Sequence, residues 1–321
     1  MSNFTYLNIE KAYQAIHQKL IKTPLVSNDY INKLLGAKIY FKLENLQKTG
    51  SFKLRGATYK VSKLSKEQKL KGIVAYSSGN HAQAVAYACL EEGISAKIIM
   101  PKDAPKIKIE NTQKLKAQII FYDRANESRE KIGEEIASHE NRTIIKPYDD
   151  YDVIAGQGTA AFEISQELNN ISVIPDIYLC CCGGGGLIAG TSTYLKHKYP
   201  NILSYAAEPF GFDDTKKSLD SKRIIANESG FTSICDAIVT PQPGKMTFPI
   251  NLRNLSGGVV VDDEEVKQSI KILAEHLKIV AEPGGAVAAT AALTKKIDIK
   301  NKTVVVMISG GNIDLDVFCS L

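Results

Sequence analysis

The sequence predicts an α/β protein of parallel sheets layered with helices, on three observations. Eight short apolar runs recur along the 321 residues, each followed by small or turn residues and then a helix-like pattern. Strands at that spacing with helices between them build parallel layers. Some of the turns that follow these runs are crowded with glycine or short polar residues. A chain of this length also buries a full core unaided and has room for two domains.

In order, the strand-like runs are 39–43, 73–76, 96–100, 118–122, 143–146, 176–181, 203–207 and 303–308. Amphipathic stretches at 82–92, 105–115, 127–139, 158–168 and 263–277 carry the helical period. The piece 71–150 holds strand–helix units of its own, which predicts a small domain there. Residues 1–70 and 151–321 then form a large domain. Ligands in open α/β sheets sit beyond the carboxyl ends of the strands, so the turns after strands are where function is sought.

Composition removes several classes. Lys plus Arg is 40 and Asp plus Glu is 35, a net +5 with no long basic block, so no nucleic-acid partner is expected. No run of about 18 apolar residues exists, so no membrane span is expected. The opening Met1-Ser2-Asn3-Phe4-Thr5 lacks the form of a signal peptide. The cysteines at 89, 180, 181, 182, 235 and 319 make no CxxC pair, and Cys180–Cys182 end an apolar run as small hydrophobes. A reduced, cytoplasmic protein is the expectation.

Four segments carry chemistry. Gly183-Gly184-Gly185-Gly186 lies between an apolar strand and the helix opening Leu187-Ile188-Ala189. No strand or helix interior tolerates four glycines, but a loop whose N–H groups converge on an anion at a helix N-terminus requires them. The loop also fits a GxGxxA dinucleotide pattern at Gly184, Gly186 and Ala189, with Glu208 near the place of a ribose-binding acid. Taken alone it suits a dinucleotide as well as a single phosphate, so a nicotinamide-dependent dehydrogenase competes. Ser77-Ser78-Gly79-Asn80-His81 follows the run at 73–76 and offers a helix-capping loop that also grips a carboxylate. Ser309-Gly310-Gly311-Asn312 follows the run at 303–308, and Gly50-Ser51-Phe52-Lys53-Leu54-Arg55-Gly56-Ala57 supplies one lysine beside an aromatic ring.

Together these segments resemble the fold type II family of pyridoxal-phosphate (PLP) enzymes, and more narrowly its serine/threonine dehydratases and serine racemases. Pro147-Tyr148-Asp149-Asp150 and Ile154-Ala155-Gly156-Gln157-Gly158-Thr159 match as well, so the resemblance runs along nearly the whole chain. It implies two open parallel-sheet lobes with the cofactor between them. Lys53 would form the Schiff base with PLP and later shuttle the α-proton. Phe52 would lie against the pyridine ring, Gly183–Gly186 would hold the phosphate, Asn80 would bond the ring's 3′-oxygen, and Ser309 would face the ring nitrogen. Ser77, Ser78, Asn80 and His81 would receive the substrate.

A serine at the ring nitrogen protonates it less fully than an aspartate, which favours β-elimination from L-serine, L-threonine or 3-hydroxyaspartate to a 2-oxo acid and ammonia. Ser78 matches the serine that racemases use on the face opposite the lysine, and racemisation needs acid/base groups on both faces; a carboxylate-binding hydroxyl is the other reading. Glu208, Asp214 and the Phe212 carbonyl resemble a divalent-cation site for Mg²⁺ or Ca²⁺. The resemblance also implies a homodimer. With the chain ending nine residues after Asn312, no regulatory domain is expected to follow.

Overall fold

The structure is a computed structural model that describes residues 4–77, 79–104 and 106–321. Ten strands fall into two sheets: β1 Leu25–Val26, β2 Lys38–Leu43, β3 Ile73–Tyr76, β4 Ala96–Pro101, β5 Gln118–Tyr122, β6 Thr143–Ile144, β7 Ile177–Cys181, β8 Leu203–Pro209, β9 Gly257–Val261 and β10 Thr303–Ile308. The larger sheet runs β1-β2-β10-β7-β8-β9 and the smaller β5-β4-β3-β6. Among the described residues every strand pairing is parallel except that of β1 with β2, which is antiparallel and closes one edge. The fold class expected from the sequence is the one observed, with that edge strand added.

The sequence pattern explains which strand goes where. Val304–Ile308 of β10 is an unbroken apolar run, and each of its residues is fully buried between β2 and β7. Such a strand is covered on both faces, and each side chain contributes roughly 1.5–3 kcal/mol on leaving water. In the smaller sheet the alternation is sorted cleanly. Ile73 and Ala75 with Ala96, Ile98 and Met100 enter one core, whereas Val74 and Ile99 enter a second core on the opposite face.

Three helices pack on one another through glycines. A Cβ on Gly156 would lie 2.6 Å from Gly56 Cα, and one on Gly190 would lie 2.3 Å from the Ile154 carbonyl. Helices Lys53–Ser62, Tyr151–Asn170 and Gly186–Lys198 can therefore approach backbone to backbone. Asp150 caps the second of them, accepting from the N–H groups of Asp152 and Val153 at 2.8 and 3.2 Å. Among the described residues no helix is long and apolar enough to cross a membrane.

Candidate active site

The carboxyl ends of β3, β7 and β10 open onto one cleft between the two sheets, and it gathers most of the residues singled out from the sequence. Phe52, Lys53, Ser77, Asn80, His81, the four glycines and Ser309 all line it. Ser78 lies outside the described residues. Glu208, Phe212 and Asp214 stand elsewhere, at and just past the end of β8.

Lys53 is the first residue of its helix, and the segment before it is stitched to the turn after β10. Phe52 N–H donates to the Ser309 carbonyl at 3.0 Å, Gly311 N–H donates to the Gly50 carbonyl at 2.9 Å, and Ser51 bridges Gly310. Lysine and serine are thus placed by one backbone junction. The helix is anchored below by Arg55, fully buried, whose guanidinium meets Glu44 and Glu163 at 2.7 Å. The Lys53 amine donates to the Pro147 carbonyl at 2.8 Å and pairs with no carboxylate among the described residues. Desolvation pulls its pKa from 10.5 down to about 8.

The glycine loop has its acceptors occupied and its donors free. The Gly184 carbonyl accepts from the Thr247 hydroxyl at 2.6 Å and from Gly244 N–H at 3.2 Å, and the Gly185 carbonyl from Asn251 Nδ2 at 3.4 Å. Among the described residues no acceptor pairs with the N–H groups of Gly183–Gly186. Gly185 has φ +87°, and a Cβ there would lie 2.6 Å from Asn251 Nδ2; on Gly184 it would lie 2.3 Å from the Tyr148 ring. Free N–H groups at the start of a thirteen-residue helix, with no room for side chains, suit a phosphate. The residues present therefore fit PLP.

The loop after β3 is held by bonds of its own. The Ser77 hydroxyl accepts from Gly79 N–H at 3.1 Å, a local turn bond. The Asn80 amide donates to Glu282 Oε1, while its oxygen accepts from Asn312 Nδ2 at 2.8 Å. Burial and, after it, the Lys53 charge push the His81 pKa down to about 3. The ring is neutral, and its Nε2 donates to the Ile145 carbonyl at 3.0 Å. A carboxylate in this loop meets dipoles rather than an imidazolium. Ser309 is buried at the foot of the cleft beside Cys181, and all three cysteines at 180–182 are buried free thiols.

Sequence reasoning missed part of the lining. Tyr148 covers the glycine loop, the Arg129 guanidinium lies 5.6 Å over the Tyr76 ring, and Lys108 and Asp236 meet at the rim. Tyr148 stood inside a motif already noted. Thr247, Asn251 and Asp236 belong to the irregular stretch and short helix between β8 and β9, where no periodicity marks them.

Glu208 and Asp214 are both fully buried. Glu208 accepts from the N–H groups of Thr215 and Lys216, both at 2.8 Å, and so caps the helix Asp214–Ser221. That position is incompatible with the ribose-binding role of the dehydrogenase alternative, which needs an accessible carboxylate. Burial, then Asp214, raises the Glu208 pKa well above the usual range; burial likewise raises Asp214 to about 7. Asp214 Oδ2, Asn227 Oδ1 and Thr240 Oγ1 are buried without partners. Oxygen atoms in that condition fit a hard cation, although no group of three or more His, Cys, Asp or Glu gathers among the described residues.

Comparison with known proteins agrees with this geometry. The family model described as pyridoxal-phosphate dependent enzyme matches residues 16–310, and the chain belongs to that family. Within it, the chain is 40% identical to a serine racemase of Schizosaccharomyces pombe (strain 972 / ATCC 24843), covering 97% of this chain and 95% of that protein. It is 38% identical to an L-threo-3-hydroxyaspartate ammonia-lyase of Saccharomyces cerevisiae (strain ATCC 204508 / S288c), covering 99% and 96%. The structure of the processed form of threonine deaminase isoform 2 from Solanum lycopersicum superposes with a TM-score of 0.88 at 31% identity, covering 98% and 90%.

Proposed function

We propose that the protein is a PLP-dependent ammonia-lyase that eliminates water from L-serine, L-threonine or 3-hydroxyaspartate, after which hydrolysis of the released enamine returns that water and gives a 2-oxo acid and ammonia. The observation that carries this is the Lys53 amine: desolvated, free of any carboxylate among the described residues, and in the same cleft as the unpartnered N–H groups of Gly183–Gly186. When bound, PLP supplies an electron sink that acidifies the α C–H of an amino acid.

The chain's own residues do the rest. Lys53 would be the amine that holds the cofactor's aldehyde, and its Nζ, whose pKa burial draws down to about 8, is the group that takes the α-proton. The N–H groups of the glycine loop would donate to the phosphate, and Phe52 would supply an apolar wall. Asn80, whose amide keeps a second N–H beside the one given to Glu282, would hold the ring oxygen. Ser309 would face the ring nitrogen with a hydroxyl, which favours loss of the β-hydroxyl over longer storage of charge. Ser77, the neighbouring Ser78 and the main-chain N–H of His81 orient the substrate carboxylate, while the His81 ring stays neutral and bonded to the Ile145 carbonyl.

The kinship with a serine racemase favours a second reading, in which Ser78 also moves a proton on the face opposite Lys53. The division into a large domain of residues 1–70 and 151–321 and a small one of 71–150 follows the two sheets. Mg²⁺ or Ca²⁺ would be held by Glu208, Asp214 and the Phe212 carbonyl, where Asp214 Oδ2 lacks a partner. The unpaired cysteines favour a reducing, cytoplasmic setting, and the family resemblance implies a homodimer.

One preparation tests the reading. The purified protein with PLP should show a visible absorbance band that Lys53→Ala abolishes, and should form 2-oxo acid from at least one of the three substrates. A protein with neither band nor product overturns it. D-serine formation, lost in Ser78→Ala while elimination persists, would establish the racemase activity.

A further inference from the structure

Lys108 is a lysine that the chemistry above does not use. It sits on the helix Lys106–Lys114 beside the smaller sheet, yet it is only 2% exposed. Its ammonium reaches across the rim of the cleft to Asp236 at 2.8 Å and to Glu282 at 3.5 Å. Glu282 precedes the helix Pro283–Leu293, which packs against the larger sheet. A buried cation is tolerated only when paired, and here two carboxylates from the opposite side hold it. Burial alone would lower the Lys108 pKa, but these carboxylates outweigh it and hold the pKa raised.

The same side chain shapes the turn after β3. A Cβ on Gly79 would lie 2.6 Å from Lys108 Cδ, so the lysine stem lies directly on that turn. Glu282, whose Oε2 faces Lys108, uses Oε1 to accept from Asn80. Asn80 in turn accepts from Asn312, which also donates to the Thr49 carbonyl at 2.8 Å. Lysine, glutamate and the Gly79–Asn80 turn form one connected unit that spans both sides of the cleft.

We propose that Lys108 is a positioning residue for the amino-acid substrate: anchored by Asp236 and Glu282, it fixes the Gly79–Asn80 turn in the register that receives the substrate carboxylate. This rests on the PLP-lyase reading. Lys108 touches no reacting atom, so its removal weakens substrate binding without removing the cofactor or the base.

The test compares Lys108→Met, Asp236→Asn and the double variant with the unsubstituted holoenzyme, using whichever of the three substrates it turns over. Lys108→Met should keep the visible band while KM rises at least about tenfold and kcat changes by less than about threefold. Asp236→Asn should shift KM in the same direction by less, and the double variant should be no worse than Lys108→Met, because both remove one anchor. If Lys108→Met fails to fold, Asp236→Asn carries the test, since Asp236 is 40% exposed. A KM within about twofold of the original in the folded single variants, or losses that multiply in the double, overturns the inference. Absence of band and turnover in the unsubstituted enzyme overturns this inference together with the reading beneath it, whereas turnover with an unmoved KM overturns the inference alone.

Discussion

Lys53 has left water without gaining a carboxylate, and that has a thermodynamic signature. Its folded pKa of about 8 lies below the ordinary 10.5 because burial disfavours the ammonium. The unfolded chain therefore binds more protons between those values, and the stability of the cofactor-free protein rises with pH across that window. Replacing the amine by an apolar side chain of similar length removes the penalty. Cofactor-free Lys53→Met should accordingly be more stable than the unsubstituted protein at pH 7, with the advantage fading as pH approaches 10.5. Urea midpoints at the two pH values measure this, and equal midpoints at pH 7 would refute it. Gly185 makes the complementary case. At φ +87° and 2.6 Å from Asn251, an added Cβ brings both backbone strain and a clash. Gly185→Ala should weaken PLP binding by about tenfold or more, a loss of about 1.4 kcal/mol, and titration of the visible band reads it directly.

At the scale of elements, the helix Lys53–Ser62 shows what a motif read along a chain conceals. Lys53 and Arg55 stand two residues apart in one family-like motif, yet the helix turns them to opposite fates. Lys53 enters the cleft, and Arg55 enters the core between Glu44 and Glu163. Arg55→Met leaves buried Glu44 with only the Thr23 hydroxyl while Glu163 keeps Lys42, and should cost about 3–5 kcal/mol in urea unfolding; a loss under about 1 kcal/mol would show the network to be solvated. Strands β3, β5 and β10 were legible to the residue because their apolar runs are bounded by turn residues. The strand β9, opening Gly257-Gly258, and the two-residue β1 carry too little signal, and their pairing partners decide them. The helix Pro283–Leu293 escaped for the opposite reason: Pro283 to Ala292 are all buried, so it has no polar face to set a period. Glu282, one residue before it, was lost with it. Of the site, the glycine loop, Lys53 and Ser309 were readable because each needs a particular residue type; Lys108 and Asp236 act only through a contact 128 residues apart in sequence. The helix Asp214–Ser221 supplies another test, since Asp214 and the Glu208 that caps it are buried carboxylates with raised pKa values. Mg²⁺ or Ca²⁺ should raise the melting temperature of the unsubstituted protein and leave Asp214→Asn unmoved; an equal rise in both would remove the cation from this site.

The whole molecule divides its apolar burial unequally, and the cofactor cleft lies at the division. The larger sheet owns one continuous core, from Phe4 and Ile9 in the N-terminal segment to Met307 and Ile308 in β10. The smaller sheet splits its burial between two faces, and among the described residues one of those cores has only Val74, Ile99 and Tyr122 as buried members. The smaller sheet therefore has less holding it and more to gain from contacts across the cleft. PLP bound between Lys53 and the glycine loop would touch the turn after β3 as well, and a ligand that binds only the closed arrangement stabilises it by mass action. Removing the cofactor should thus lower the protection of β3, β4 and β5 against amide hydrogen exchange more than that of β7, β8 and β10. Thermal unfolding should broaden or separate into two steps, with 71–150 melting first. A uniform loss of protection across both sheets would mean that the two halves unfold as one unit and that the cleft is no boundary of stability.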